Sequence, residues 1–444
     1  MENLKNIAKS IIEKTDLESE IFIIETKSSF VEVRNQKVEK IKSGVVLGLG
    51  LRIFNKNKLG FAFSNDINNI DELLTKAISN LQNSKECNFY GFAKKFTPKN
   101  ILNIPYDKKI AQLTKDNKIN LAKEIENAAF SYDKRIVNCE SANYFDEETT
   151  IFLQTSNGFS SGYKKIYCGG SMQAISQENN LFEEGHYVKQ FVDLDLFNAK
   201  EIGQNAAKKA IEMLGAKIIK SGEMPVVLSN FVASQFLYAA SSMFFGDNVY
   251  KKKSLFFDKL GSKIASSKIN ILEDALKEEG IASRPFDDEG IESQKLYVVR
   301  NGILENFLYN IEAASQAKKS STSSATRNSY RTPPVIGTTN FYIDNGHVSE
   351  NGIIDMVDKG LYVTNVMALH SLNPISGDFS LGASGFMIEN GKKIFPVRGV
   401  TIAGNLANLL FNVVETGNNL EFFTESNNCG SPTLLIKNLS IAGE

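Results

Sequence analysis

The three histidines and four cysteines are the residues to test first for metal chemistry. A zinc hydrolase needs two or three His, Cys or carboxylate ligands close together, with an open position for water. His186, His347 and His370 are isolated from one another, and none has a His or Glu partner at helical spacing. The four cysteines are Cys87, Cys139, Cys168 and Cys429. They form no Cys-x-x-Cys pair, which is typical of reduced thiols in a cytosolic protein. These residues predict no self-contained zinc site.

Other catalytic and binding motifs are absent or weak. The chain has no Gly-x-Ser-x-Gly elbow, and the superficially similar residues 382–385 are interpreted as a turn. It has no Walker A loop, and Gly48-x-Gly50 lacks the third glycine of a dinucleotide-binding loop. Asp287-Asp288-Glu289 could bind a divalent cation, although a solvated acidic turn is the favoured interpretation. The lysines at 251–253 could contact phosphate, but such a run is more often a solvated face.

The composition is that of an ordinary globular protein. Of 444 residues, 42% are apolar and 23% charged, and 50 Lys+Arg nearly balance 51 Asp+Glu. This balance argues against a dedicated nucleic-acid-binding protein. No apolar run approaches the ~20 residues of a membrane span, and the N-terminal segment lacks the apolar core of a signal peptide. We therefore expect a cytoplasmic protein that binds neither membrane nor, directly, nucleic acid.

The elements of the first half follow helical and strand periodicities. The N-terminal segment has apolar residues at helical spacing, and further helices are predicted at 71–81, 110–129 and 199–214. Strands are predicted at 20–26, 29–35, 44–54 and 59–64, and residues 85–110 are interpreted as a connecting segment. Gly48 and Gly50 share one face of their strand with Arg52, which indicates that something packs very close to that face.

The second half is predicted to be β-rich. A strand at 224–228 precedes a helix at 231–245, and the Asn301-Gly302 and Asn390-Gly391 pairs predict hairpin turns. The Ser/Thr-rich residues 318–331 are interpreted as a mobile surface loop. A Lys220-Ser221-Gly222 break separates the halves. The prediction is an α+β fold of two domains: residues 1–219, α+β with a mostly antiparallel sheet, and residues 220–444, β-rich with a few helices.

Motifs spread over nearly the whole chain resemble those of the TldD/PmbA (TldE) family, whose members are associated with DNA gyrase modulation and with peptide processing. Each motif alone is weak, but their order and spacing together are specific. They comprise Gly50–Phe54 with Leu59–Ala62, Ser221–Leu228, Phe286–Gly290 with Asn301–Leu304, Ser376–Ser380 with Gly385–Gly391, Pro396–Asn405, and Ser431–Gly443.

The resemblance also says which branch the chain belongs to. TldD-like members carry a His-Glu-x-x-x-His helix and a distant Cys that together look like a zinc protease site. Aligned on Gly246-Asp247, the two His positions fall on Leu237 and Ser242, and the Glu position falls on Tyr238. None of the three fits its zinc role, and Cys429 is treated as coincidental. The chain thus resembles the PmbA/TldE branch, and neither metal nor cofactor is expected in it.

The resemblance implies a function through a partner. The chain would be the non-metal-binding subunit of a TldD/TldE-type peptidase complex that processes or degrades cytosolic peptides, with zinc only in a TldD-type partner. Self-association as a homodimer stays open. So does the alternative of a stand-alone peptide- or protein-binding modulator, linked to gyrase and without proteolytic activity. Arg327, Ser329 and Tyr330, in the segment Arg-Asn-Ser-Tyr, resemble a family element and are candidates to line a peptide cleft.

Overall fold

One antiparallel sheet with strands of up to 20 residues organises the N-terminal half. The computed structural model describes residues 1–96 and 104–444, so part of the predicted 85–110 connection lies outside the described residues. The strand order is β3-β2-β1-β4-β5-β6, and every neighbouring pair is antiparallel. The strands are β1 (Glu18–Arg34), β2 (Lys37–Asn55), β3 (Lys58–Ser64), β4 (Ile136–Thr155), β5 (Ser160–Glu178) and β6 (Leu181–Phe191).

Amphipathic helices cover this sheet in two groups. They are α1 (Glu2–Ile12), α2 (Ile70–Asn83), α3 (Lys108–Ala111), α4 (Lys115–Phe130) and α5 (Ala199–Glu212). One apolar cluster joins α1 and α2 to β1 and β2, and a second joins α4 and α5 to β4 and β5. The helix predicted at 110–129 is in fact two helices, because Thr114 accepts a hydrogen bond from the Asn117 N–H and starts α4 afresh.

The strands predicted at 20–26 and 29–35 are one continuous strand, β1. The polar Lys27 and Ser28 do not interrupt it, because β2 and β4 pair with it on both sides at this point. The β1–β2 turn follows at Asn35 and Gln36, which both have positive φ angles.

Two further six-stranded sheets lie in the C-terminal half, and both contribute to its main apolar core. The first has the order β16-β15-β14-β7-β20-β17, and the second has the order β10-β9-β8-β13-β19-β18. Their strands are β7 (Gly222–Leu228), β8 (Ile271–Asp274), β9 (Lys295–Arg300), β10 (Ile303–Leu304), β13 (Phe341–Ile343), β14 (Lys359–Met367), β15 (Asp378–Glu389), β16 (Lys392–Asn405), β17 (Val413–Thr416), β18 (Glu421–Phe423), β19 (Cys429–Ser431) and β20 (Leu434–Ala442). A small ribbon pairs β11 (Ala325–Thr326) with β12 (Val335–Ile336).

Short helices complete this half: α6 (Asn230–Ser241), α7 (Gly246–Tyr250), α8 (Ile311–Ala317), α9 (Glu350–Asp355) and α10 (Leu406–Phe411). The predicted Asn301-Gly302 hairpin is confirmed, since β9 and β10 pair across it. The α+β class is also confirmed. In the described part of the chain, all strands of the first sheet precede residue 192 and all strands of the others follow residue 221. No helix among the described residues is long and apolar enough to cross a membrane.

Candidate functional site

Helix α6 occupies the place where the resemblance puts a metal-binding helix. Ser229 caps it, its hydroxyl oxygen accepting a hydrogen bond from the Val232 N–H at 3.3 Å. The helix lies within the main core of the C-terminal half and contacts strands of both sheets. It ends at Ser241, and a 3₁₀ turn, Ser242–Phe244, follows. The helix predicted to run to residue 245 is therefore one turn shorter.

The three motif positions on α6 face different surroundings. Leu237 is 4% exposed and lines an apolar cavity of about 20 Å³ together with Phe236 and Leu406. Tyr238 is 44% exposed. Ser242 is half-buried and lies beyond the α-helical part, in the 3₁₀ turn. The structure therefore does not bring these three side chains together into one coordination site.

The donor set at α6 does not fit zinc. Leucine offers no lone pair, a tyrosine hydroxyl is a weak base, and zinc takes Cys, His or carboxylate ligands. Cys429 lies on β19, which packs against α6, but it is fully buried and burial raises the pKa of its thiol. Within residues 1–96 and 104–444, no cluster of three or more His, Cys, Asp or Glu side chains could hold a metal ion.

A buried ion-pair network joins the two halves of the chain, and its hub is Arg52 on β2. The Arg52 guanidinium donates to both carboxylate oxygens of Glu20 on β1, at 2.9 and 2.6 Å, and to Glu289 of the C-terminal half at 2.7 Å. The side chains of Glu20 and Glu289 are fully buried, and that of Arg52 is 5% exposed. Arg327 adds a second cation, ion-paired with Glu20. We call these four residues the joint.

The acidic motif at 287–289 belongs to this buried region, so the expectation of a solvated turn was wrong. Asp287 accepts hydrogen bonds from the backbone N–H groups of Glu289, Ile291 and Ala325. Asp288 accepts from the Arg327 backbone N–H at 2.6 Å. Burial raises the pKa of Asp287 and of Glu289. Local sequence could not reveal this, because the groups that satisfy these carboxylates come from distant segments.

The Arg-Asn-Ser-Tyr segment at 327–330 lies against β2. The Arg327 side chain is 1% exposed, and its guanidinium stacks 4.7 Å from the centre of the Phe22 ring. Tyr330 is buried against Gly48, where a Cβ atom would lie only 2.1 Å from its ring. The close packing predicted at Gly48 and Gly50 is thus provided by Tyr330. Ser329 is half-buried, and its hydroxyl oxygen accepts from the Arg331 N–H.

Residues 318–331 are therefore not simply a mobile surface loop. Ser323, Ser324 and Ala325 are buried, and Ala325 and Thr326 form β11. The segment is polar because its hydroxyl groups bond buried backbone: the Ser323 hydroxyl donates to the Ile291 carbonyl at 3.0 Å. The peptide-cleft role of Arg327, Ser329 and Tyr330 stays a prediction, and Arg327 and Tyr330 already have structural roles.

A second contact between the halves lies beside the first turn of α6. Lys209 on α5 reaches solvent here, with its ammonium 5.1 Å from the centre of the Tyr187 ring and 5.4 Å from that of Phe231. Glu421 and Glu425 complete this group from the C-terminal half. Partial desolvation by the neighbouring groups of the two halves lowers the pKa of Lys209 and raises the pKa of both glutamates. The contact combines aromatic rings with both signs of charge.

Sequence reasoning missed the ion-pair partners of the joint. Arg52 lies inside an otherwise apolar strand pattern and follows Gly50 on the same face, and Glu20 directly precedes the apolar run at 21–24. A charged residue on such a face requires a buried partner, so the signal was present. The partners' identities were not accessible, because Glu289 lies 237 residues from Arg52 along the chain and Arg327 lies 307 residues from Glu20.

Comparisons with known proteins cover the whole fold. Three family models match in chain order: PmbA/TldA metallopeptidase domain 1 at residues 19–81, the central domain at 108–214 and the C-terminal domain at 221–443. The Metalloprotease PmbA homolog of Buchnera aphidicola subsp. Acyrthosiphon pisum is 30% identical over 434 residues, covering 96% of this chain and 93% of that protein. Metalloprotease PmbA of Escherichia coli O157:H7 is 28% identical, covering 96% and 92%.

Solved structures share the fold over the full length. A Thermotoga maritima protein described as a candidate modulator of a DNA gyrase is 26% identical, with a TM-score of 0.87 over 99% of this chain and 100% of that one. TldE from Thermococcus kodakarensis is 19% identical, with a TM-score of 0.90 over 100% of both chains, and shows the fold alone. Together, the family models and the PmbA relatives show that the chain belongs to the PmbA/TldD metallopeptidase family, in its PmbA/TldE branch.

Proposed function

We propose that this chain is the non-metal-binding subunit of a TldD/TldE-type peptidase that processes peptides in the cytoplasm. It acts with a TldD-type subunit that carries the zinc. The observation that supports this most directly is the burial of Leu237. It lies on α6 in the apolar core of the C-terminal half, at the position where a catalytic relative would present a zinc ligand. A core leucine at this position is chemically incompatible with a zinc site, while the fold around it is retained.

The chemistry of the complex divides between the two subunits. Zinc in the TldD-type subunit would polarise the scissile carbonyl and activate water. This chain contributes binding surface and shape. Its contact beside α6, with Lys209, Tyr187 and Phe231, offers aromatic rings and charges of both signs, the kinds of groups that hold an extended peptide.

The test is reconstitution. The chain is purified alone and after co-expression with the TldD-type subunit of the same organism, and each preparation is assayed on unstructured peptides and analysed for zinc. We expect the complex to copurify and cleave, the chain alone to do neither, and substitution of the first His of the partner's motif to abolish cleavage. Zinc-dependent cleavage by the chain alone, with no partner detectable by mass spectrometry, would overturn the subunit assignment. Peptide capture by the chain alone, with no TldD-type subunit copurifying, would favour the stand-alone modulator.

A variant with the His-Glu-x-x-x-His residues restored tests the interpretation of α6 as a helix that holds no metal. Leu237→His with Tyr238→Glu and Ser242→His should not create activity, because position 237 lies in the apolar core and position 242 lies in the 3₁₀ turn after α6, so the new side chains would not share one coordination site. The buried His without a partner should instead destabilise the chain by several kcal/mol, on the order of 3. Tyr238→Glu alone is the control and should cost less than about 1 kcal/mol, because Tyr238 is 44% exposed. Urea unfolding and elemental zinc analysis measure both effects.

A further inference from the structure

Strand β2 has a long unpaired edge. β1 pairs with it along its whole length, whereas β3 pairs only with its last part, from Leu49 to Asn55. Among the described residues nothing pairs with the other side of residues 37–47, which we call the free edge. At about 3.3 Å per residue this edge is roughly 35 Å long. Its outward N–H and C=O groups form a ready template for another strand.

The free edge is held rigidly in place. The Asn35-Gln36 turn is bound to helix α4 by the fully buried carboxylate of Glu126, which accepts from the Asn35 N–H at 2.6 Å and from the Gln36 N–H at 2.7 Å. On its inner side, β1 is itself paired with β4 up to Val33. The edge is therefore preformed, and pairing with an added strand would cost this chain little conformational entropy.

The side chains of the free edge combine apolar groups with positive charge. A bulge in the β1–β2 pairing between Val38 and Lys40 puts Val38 on the same face as Ile41 and Val45, with Val46 on the other face. All four side chains are between 37% and 64% exposed. Lys37, Lys40 and Lys42 outnumber the single acidic residue, Glu39, and all four are exposed. Lysines alone would serve to block edge pairing. Four exposed apolar side chains on the same strand oppose that role and are typical of an interface.

We propose that the free edge docks an extended, acidic strand of the TldD-type subunit by main-chain pairing. This inference rests on the proposed function. The lysines favour a strand with carboxylates and disfavour a second copy of this chain, whose own lysines would approach them in an antiparallel pairing. A lone peptide would pair with the backbone but leave the apolar side chains of both faces uncovered. A folded partner, with structure on both sides of its edge strand, covers them.

Charge reversal tests the docking edge. Lys40→Glu with Lys42→Glu should weaken binding to the TldD-type subunit at least about tenfold, and added salt should shrink the difference. The control is Lys251→Glu with Lys253→Glu, two exposed lysines at the same spacing in the C-terminal half, which should leave the affinity within about twofold. Calorimetry of each full-length variant with the partner measures both affinities.

Hydrogen exchange locates the contact directly. Backbone amides within 37–47 that point away from β1 should exchange rapidly in the chain alone and slowly in the complex. If the wild-type chain binds no TldD-type subunit, the proposed function fails and this inference with it. If the complex forms with no protection of 37–47, or the edge variants bind as well as the wild type, this inference alone fails. Protection by added peptide alone, or by self-association of this chain, would also overturn it.

Discussion

Glu273 on β8 shows how burial alone can set the ionisation of a single residue. Its side chain is 3% exposed, and one carboxylate oxygen accepts hydrogen bonds from the N–H and hydroxyl of Thr339. The other oxygen is buried without a partner in the described structure. Burial raises the pKa of Glu273 from its ordinary 4.5 to about 7, against the lowering effect of the Thr339 hydrogen bonds. The carboxyl group is therefore neutral in the folded protein in mildly acidic solution.

This raised pKa predicts a pH-dependent free energy of unfolding. Between pH 4.5 and about 7 the folded state keeps the Glu273 proton while the unfolded chain releases it, so stability falls as the pH rises through this window. Glu273→Gln mimics the neutral form and removes the effect. We expect the wild type to lose about 3 kcal/mol relative to Glu273→Gln between pH 5 and pH 8. Urea unfolding at several pH values measures this, and a pH-independent difference would contradict it.

At the scale of the element, the close contact between β2 and Tyr330 depends on two glycines. A Cβ atom at Gly48 would lie 2.1 Å from the Tyr330 ring, and one at Gly50 would lie 2.9 Å from the Tyr330 carbonyl oxygen. Tyr330 also packs edge-on against Phe63 of β3, with ring centres 6.2 Å apart. The β2 backbone therefore forms the floor of a slot for one aromatic side chain of the other half.

A side chain at position 48 should force the β2 backbone and the Tyr330 ring apart. Gly48→Ala should destabilise the protein by about 1–3 kcal/mol, because the Tyr330 ring must move out of a closely packed site. Gly44→Ala on the same strand is the matched control: no heavy atom lies within 4 Å of its Cβ position, so the change should be nearly neutral. Urea unfolding followed by circular dichroism compares the two, and equal midpoints would contradict the slot.

At the scale of the whole molecule, the joint ties the N-terminal sheet to the C-terminal half with buried charge. Arg52 bonds Glu20 within its own sheet and Glu289 across the boundary, and Arg327 returns from the C-terminal half to Glu20. Buried ion pairs add little net stability over apolar packing, but removing one partner leaves an uncompensated charge. The relative position of the halves therefore depends on a complete set of partners.

Removing the hub should destabilise the whole chain. Arg52→Met leaves Glu20 and Glu289 buried without their shared cation, and we expect a loss of about 3–5 kcal/mol of unfolding free energy. The control is Arg300→Met, which breaks an exposed pair with Glu305 and should cost less than about 1 kcal/mol. Urea unfolding distinguishes them. Similar costs for both variants would mean that the joint does not hold the halves together.

Local patterns in the sequence determined the elements and the family. The spacing of Leu4, Ile7, Ala8 and Ile11 predicted α1, which forms at Glu2–Ile12, and the Asn301-Gly302 pair predicted a hairpin that forms. The α+β class was predicted from the same periodicities and is confirmed. Gly48 and Gly50 predicted a close contact with β2 but not the residue that makes it. These features are encoded within a few residues, because helix and strand periods and turn geometry are local properties.

Only the tertiary structure decided which polar residues are buried and what each contacts. Asp287 and Glu289 were expected in solvent and lie in the interior. The strands predicted at 20–26 and 29–35 are one strand, β1, because β2 and β4 both pair with it. Glu20 and Arg327 meet across 307 residues of chain. The physical reason is that a charge is stable inside only when distant segments bring a counter-charge and hydrogen-bond donors to it, and no local period records where those segments lie.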